Sequence, residues 1–441
     1  MHLNQEEAIE SVPGIAGYLG LVLTTDCPDL KDEQGFSGGK REMGHAMLPH
    51  RSQPIKADDK TSPFGMVHAD LDDPYLGPWI KTLTWNTTSA DWWQFEMEKR
   101  TTRGFTELPI MTDKTWSSDD SKPVSAKQLA EITKRAGDYF QAYPQLEYWE
   151  TGIEENLTSA YKQRYYWSNL AAKAKAVRDA ARSHAPKVKL IYQIATVDAD
   201  EITPFLKSKA ARYYSILTIH PYAWPDFPAP DRWMAPLIAQ TNKLLRRYDH
   251  DMPIWFTEVG APHHGAAPGE FFGYPAEQLA VTGLTRYQSV NYLLKIHATA
   301  LHAGVKKLFW YNYRDRDFGN DYAENFFGMV DYWGYPKPVY VAYARMQSCL
   351  NGLEAGRKIL AANDLTAYEF SNGKGRVYLV WNTADNTQTI NLDELGISTS
   401  DAVWIGDPMG NKISPEDHAL RISREPVYIA TGESVSACEF R

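Results

Sequence analysis

The sequence predicts an α/β fold, a (β/α)8 barrel followed by a C-terminal antiparallel β-sandwich. Three observations predict it. Between residues 64 and 352, eight apolar strand-like stretches appear, most of them followed by a helical one. The carboxyl ends of those strands carry titratable, polar and aromatic residues, and that end of a barrel is where chemistry sits. After residue 353 the helical period stops and short alternating strands take over.

Residues 1–63 show no clear period and are expected to form an N-terminal extension or cap over the barrel. Strands are expected at 64–70, 80–85, 105–111, 146–151, 188–193, 214–222, 253–260 and 307–313. Helices are expected at 92–102, 127–143, 161–183, 236–248, 287–303 and 339–350. Leu129, Ile132, Ala136 and Phe140 recur at spacings of three and four, one face of a helix, and Leu170, Ala174, Val177 and Ala181 do so in the next. Pro236 suits a helical first turn and Gly304 a helical stop. An open doubly wound sheet would normally carry a glycine-rich phosphate turn after an early strand, and none is present. In the 353–441 domain, residues 365–370 and 376–381 alternate on either side of the turn Ser371-Asn372-Gly373-Lys374-Gly375.

Bulk composition narrows the function classes. Lys plus Arg is 46 and Asp plus Glu is 55, a net charge of −9, which argues against nucleic acid or an anionic membrane surface as the main partner. No apolar run is long enough to span a bilayer. The start shows no signal-peptide pattern; a secreted or periplasmic protein with a processed N-terminus would look the same, and a cytoplasmic location is the alternative. Cys27, Cys349 and Cys438 are too few and scattered for a zinc cluster or disulfide framework and are expected to be buried or idle thiols. Aromatics reach 13%, which suits stacking on sugar rings as well as core filling.

Two stretches share a shape. Leu146-Glu147-Tyr148-Trp149-Glu150-Thr151-Gly152-Ile153-Glu154-Glu155-Asn156 runs from an apolar strand into an acidic loop, and Pro253-Ile254-Trp255-Phe256-Thr257-Glu258-Val259-Gly260 again ends a strand on a carboxylate. Glycoside hydrolysis needs two facing carboxyl groups, one a neutral acid and one a nucleophile or base. Glu154 and Glu258 are the expected pair, with Glu150 and Glu155 as alternatives for the first. His68, Asp70, Trp85, Gln193, His220, Tyr222, Trp310 and Tyr311 stand at or near the other strand ends and are candidate substrate-binding residues, each with a structural reading beside the functional one. Asp113 is a pocket-wall candidate by position. His263 and His264 form a poor metal site without a third placed ligand. Arg314 and Arg316 are the right chemistry for a uronate carboxylate, or for surface ion pairs.

With these motifs in view, the sequence resembles the clan A glycoside hydrolases, most of all family 39 and its neighbours. Their strand-four motif, Trp-Glu-x-x-Asn-Glu-Pro-Asn, aligns with Trp149 to Asn156. Their strand-seven Thr-Glu-x-Gly aligns with Thr257 to Gly260, and their His-x-Tyr with His220-Pro221-Tyr222. Residues 327–331 followed by 336–340 resemble the last barrel segment, and 407–411 with 426–429 the following sandwich. The resemblance implies a retaining glycosidase with Glu258 as nucleophile, Glu154 as acid/base, a carbohydrate substrate and no cofactor. Two positions depart from the motif: Ile153 replaces the Asn that binds the sugar 2-hydroxyl, and Glu155 replaces the Pro. Ile153 keeps open a rival reading, a catalytically inactive carbohydrate-binding barrel. A metal-dependent barrel hydrolase is a further rival and would need several His and Asp ligands converging on one ion.

Overall fold

The computed structural model describes residues 60–69, 73, 78–81, 105–111, 116, 119–223, 227–263, 283–316, 323–359, 364–398, 401 and 403–439. Residues 1–59, the expected helix at 92–102, Asp70, Trp85, Asp113 and His264 lie outside these residues.

The strands β1 (Phe64–Val67), β2 (Trp79–Lys81), β3 (Thr106–Leu108), β4 (Ile110–Met111), β5 (Tyr148–Thr151), β6 (Lys189–Ala195), β7 (Ile216–His220), β8 (Ile254–Val259) and β9 (Leu308–Trp310) form one parallel sheet. Its order is β3-β2-β1-β9-β8-β7-β6-β5-β4. The two ends of that order, β3 and β4, are separated in the chain by Pro109 alone. Proline has no N–H for the ladder, so it splits one stave into two short pairings. The result is a nearly closed barrel of eight staves.

Side chains alternate across this wall. Val67, Trp79, Leu108, Ile110, Ile191, Ile216, Trp255 and Phe309 fill the barrel interior as one cluster. Their neighbours Phe64, Met66, Trp149, Leu190, Leu217, Phe256 and Leu308 belong to the second layer, against the helices. Helices α1 (Ala126–Ala142), α2 (Tyr166–His184), α3 (Pro230–Arg247), α4 (Arg286–His302) and α5 (Pro338–Leu350) form that layer. Two helix starts differ from expectation. The first-turn proline of α3 is Pro230, and Pro236 is carried inside the helix. Helix α2 begins at Tyr166 because residues 159–162 wind into a 3-10 turn, whose Tyr161 ring is tilted against Tyr166 and edge-on to Trp167.

Beyond α5 the strands β10 (Glu354–Ile359), β11 (Leu365–Ser371), β12 (Gly375–Asn382), β14 (Val403–Gly406) and β16 (Val427–Gly432) form an antiparallel sheet ordered β10-β11-β12-β16-β14. Strands β13 (Gln388–Asn391) and β15 (Ala419–Ile422) pair separately. The expectation of a two-sheet sandwich meets, among the described residues, one five-stranded sheet and a two-stranded ribbon. Tyr368, Phe370, Leu379, Trp381 and Tyr428 join the barrel's helix-layer core, while Ala367, Tyr378, Val380 and Ile429 pack with Ile390, Leu420 and Ile422 of the ribbon. The barrel itself covers one face of the sheet.

The expectation of idle thiols is corrected for two cysteines. Cys349, at the end of α5, and Cys438, in the terminal helix α6 (Ser434–Glu439), form a disulfide with Cα atoms 4.8 Å apart. The two helices lie side by side here, and Ser348 Oγ donates to the Ala437 carbonyl at 3.0 Å. Among the described residues, no helix is long and apolar enough to cross a membrane.

Candidate active site

The site is built on the carboxyl ends of the barrel strands. Its floor is Lys81, fully buried on β2. The ammonium lies 2.9 Å from Glu150 Oε2 and 2.9 Å from Glu258 Oε1. Burial opposes the charge, but Glu150 and Glu258 outweigh it and raise the Lys81 pKa above its ordinary value. The register of β8 against β9 slips between Phe256 and Val259. A bulge re-aims side chains. Here consecutive residues both reach the site: Thr257 Oγ1 lies 2.9 Å from His220 Nε2, and Glu258 Oε2 accepts from the Tyr222 hydroxyl at 3.2 Å.

Glu154 approaches from the β5 loop. Gly152, at φ 72°, turns the chain, and a Cβ there would stand 2.8 Å from Glu155 Cδ. Glu154 itself adopts φ 41°, ψ 41°, the left-handed region that non-glycine residues occupy at a cost of about 1–3 kcal/mol. The surroundings hold it there. Gln193 accepts from the Glu154 backbone N–H at 3.3 Å. Asn156 pins the loop to the end of β6, donating to the Ala195 carbonyl at 2.8 Å and accepting from the Ala195 N–H at 3.1 Å. The Glu154 carboxylate then meets His220 Nδ1 at 2.8 Å.

The three neighbouring glutamates separate by environment. Glu150 is fully buried in the floor beside Lys81. Glu155 turns away from the site, accepting from Trp116 Nε1 at 3.2 Å and from the Tyr166 hydroxyl at 2.9 Å. Glu154 keeps a side-chain exposure of 15%. Burial pushes its pKa up to about 7, partly countered by Lys81 and reinforced by Glu324 and Glu150. Burial pulls His220 down to about 4, although the Glu258 charge opposes this, so its ring is neutral at pH 7. The Lys81 ammonium, 3.4 Å from Nε2, favours the lone pair on that nitrogen. The proton then sits on Nδ1, facing Glu154.

Carboxylate oxygens of Glu154 and Glu258 and a ring nitrogen of His220 lie within 4.8 Å of one another. Three such atoms are the right donor types for a divalent ion. Lys81 already supplies a fixed cation on the Glu258 side, and its charge opposes a second one. As an acid–base arrangement, the cluster sets a carboxyl that is half-protonated near neutrality opposite a carboxylate faced by a cation and a phenol.

Of the residues singled out in the sequence, Gln193, His220 and Tyr222 touch the two glutamates directly. Tyr311 forms the next wall, its ring 6.1 Å from that of Tyr222 and 6.3 Å from that of His68. Its hydroxyl donates to Glu324 Oε1 at 2.9 Å and accepts from Arg316. Trp310 is not in this group. It is fully buried on the outer side of β9, stacked 6.0 Å from His297 of α4, because strand alternation turns it opposite to Tyr311. Ile153 packs on the barrel-interior cluster and offers no donor. Arg316 is paired to Glu324 at 3.3 Å, and His263 is buried with Lys337 and Arg286 lowering its pKa further than burial alone. Sequence reasoning missed Lys81, Thr257 and Glu324. Lys81 had a signal: a lysine within the apolar run Trp79-Ile80-Lys81-Thr82-Leu83, which needs a partner if the strand is inside a barrel.

No family model matches the chain, and no curated protein matches it. Solved structures do. A family 39 glycoside hydrolase from the gut symbiont Bacteroides cellulosilyticus superposes with a TM-score of 0.64 at 16% identity, covering 86% of this chain and 82% of that one. A conserved exported protein from Bacteroides fragilis gives 0.53 at 13% identity, covering 80% and 87%. A family 30 endoxylanase from Clostridium papyrosolvens gives 0.50 at 12% identity, covering 80% and 89%. The barrel built here thus shares its fold with these family 39 and family 30 glycoside hydrolases.

Proposed function

We propose that the protein is a retaining glycoside hydrolase that cleaves O-glycosidic bonds of an oligo- or polysaccharide by double displacement. The observation that carries this reading is the pairing of Glu154 and Glu258, with carboxylate oxygens within 4.8 Å of each other. Retaining enzymes hold their carboxyl groups about 5–5.5 Å apart and inverting ones about 6.5–9.5 Å, measured between whole groups, and an approach of single oxygens inside 4.8 Å favours the closer arrangement. The likeness in fold to family 39 and family 30 enzymes supports the same reading.

Glu258 attacks the anomeric carbon while Glu154 gives its proton to the departing oxygen. The bond to the leaving group breaks, the alcohol leaves, and a glycosyl ester of Glu258 remains. Esterification removes the Glu258 negative charge. Glu154, now ionised, takes a proton from water, the hydroxide oxygen attacks the anomeric carbon, and the ester bond breaks to regenerate both carboxyl groups. Lys81 and Tyr222 hold Glu258 in line, and His220 orients Glu154. A barrel that only binds sugar has no use for two carboxyl groups so close together in different environments.

The test is a panel of aryl glycosides and polysaccharides assayed with the wild type, Glu258→Ala and Glu154→Ala. Glu258→Ala is expected to abolish turnover. Glu154→Ala is expected to recover with azide, giving the glycosyl azide of the substrate's own anomeric configuration. Turnover that survives Glu258→Ala rules the reading out.

A further inference from the structure

Among the described residues, three of the most exposed large apolar side chains stand within four positions of one another. Tyr332, Trp333 and Tyr335 are 40%, 59% and 45% exposed. Isolated exposed apolar residues are ordinary, but a contiguous aromatic group marks a contact surface.

The segment that carries them is built and anchored. Residues 327–330 run alongside the continuation of β9: the Asn312 N–H donates to the Phe327 carbonyl at 3.2 Å, the Met329 N–H to the Asn312 carbonyl at 3.1 Å, and the Val330 N–H to the Tyr313 carbonyl at 2.9 Å. Asp331 then closes a tight turn, donating from its N–H to the Tyr335 carbonyl at 2.9 Å and accepting from the Tyr335 N–H at 2.8 Å. Gly334, at φ 92°, makes the reversal, with the Arg314 guanidinium beneath it. The base is clamped by the buried ion pair of Lys337 and Asp315 at 2.6 Å. The rings of Tyr332 and Trp333 stand nearly perpendicular, at 89°. The backbone of the turn is therefore ordered before any ligand arrives, which lowers the entropy cost of binding there.

This hairpin grows directly from the strand that supplies Tyr311. In a parallel barrel every strand-to-helix loop opens on the same face. That face also carries Leu157 after β5, 53% exposed, and Val197 after β6, 48% exposed. Apolar contact points thus reach beyond the two glutamates on more than one side. A ligand that meets all of them is long and has flat apolar faces edged by hydroxyls, which is the chemistry of a sugar chain.

We propose that Trp333 and Tyr335 form a sugar-stacking platform outside the catalytic pocket, so that the protein binds a polysaccharide chain rather than a small glycoside. The proposal rests on the glycosidase reading above. The experiment separates the two by reading binding without turnover. Glu258→Ala, alone and with Trp333→Ala or Tyr335→Ala added, is run in native gels containing xylan, hydroxyethyl cellulose, galactomannan, laminarin or hyaluronan. Light scattering and thermal melting accompany each variant. Glu258→Ala is expected to be retarded by at least one polymer. Each hairpin change is expected to weaken that retardation about fivefold, the equivalent of one aromatic contact, with melting temperature and mass unchanged. Retardation insensitive to both hairpin changes, or no retardation by any polymer, overturns the proposal. So does a hairpin change that converts a dimer to a monomer, since a second copy would then be the occupant. Failure of the glycosidase reading shows instead as turnover that survives Glu258→Ala.

Discussion

In the role proposed for it, general acid and then base, Glu154 sets the pH range of the site. A general acid works only while protonated, and burial holds this carboxyl up to about 7. Turnover is therefore expected to fall as pH rises through about 7. The folded-state pKa lies above the ordinary value, so the stability linked to this proton is complete in acid and is lost over the same rise. The pH dependence of kcat/KM is expected to show an alkaline limb near pH 7, and Glu154→Gln is expected to remove it. Lys81 carries the second prediction at this scale. It is the shared cation between Glu150 and Glu258, and its loss leaves two buried carboxylates facing each other. Lys81→Met is expected to lower stability by about 3–5 kcal/mol and to suppress turnover, read by urea denaturation beside activity. That Glu154 and Glu258 meet at one site was legible in the sequence because each follows an apolar stretch. Lys81 left only the signal of a cation within an apolar run, because its partners come from β5 and β8 and only the closed barrel brings them together.

At the scale of elements, the β5 loop decides which glutamate reaches the pocket. Three carboxylates stand within five residues of one another, and sequence alone leaves them nearly equivalent. Their burial partners distinguish them: Lys81 for Glu150, Trp116 and Tyr166 for Glu155, and His220 for Glu154. Asn156 fixes the loop by two hydrogen bonds to Ala195. Asn156→Ala is expected to lower kcat by roughly a hundredfold, the scale of a small misplacement of a reacting group, with melting nearly unchanged. Kinetics beside circular dichroism check it. The strand period placed most of the staves, since alternating apolar residues are dictated locally. It misjudged Trp310, because a residue on a fully buried strand looks the same whether it faces the barrel interior or the helices. It also misjudged the start of α3, where Pro230 and Pro236 are both plausible first-turn residues and only packing chooses between them.

For the whole molecule, the disulfide between Cys349 and Cys438 ties the last barrel helix to the terminal helix across 89 residues. Alkylation in denaturant without reductant is expected to label one cysteine, and after reduction three, counted by mass. Reduction is expected to lower stability by about 2–4 kcal/mol. Cysteine spacing gave no hint of this pair, because the contact depends on how the C-terminal sheet docks on the barrel. That docking also explains why the sandwich expectation was only partly met: Trp381 and Tyr428 find their second layer in the barrel.

Covalent trapping tests the proposed role of Glu258 as nucleophile most directly. The protein would be incubated with an activated 2-deoxy-2-fluoro glycoside of its best substrate and mapped by peptide mass spectrometry. The account predicts one glycosyl group, on the peptide holding Glu258, with inactivation that tracks labelling. Turnover with inverted product and no adduct, or an adduct on Glu150, Glu155 or Glu324, would contradict it.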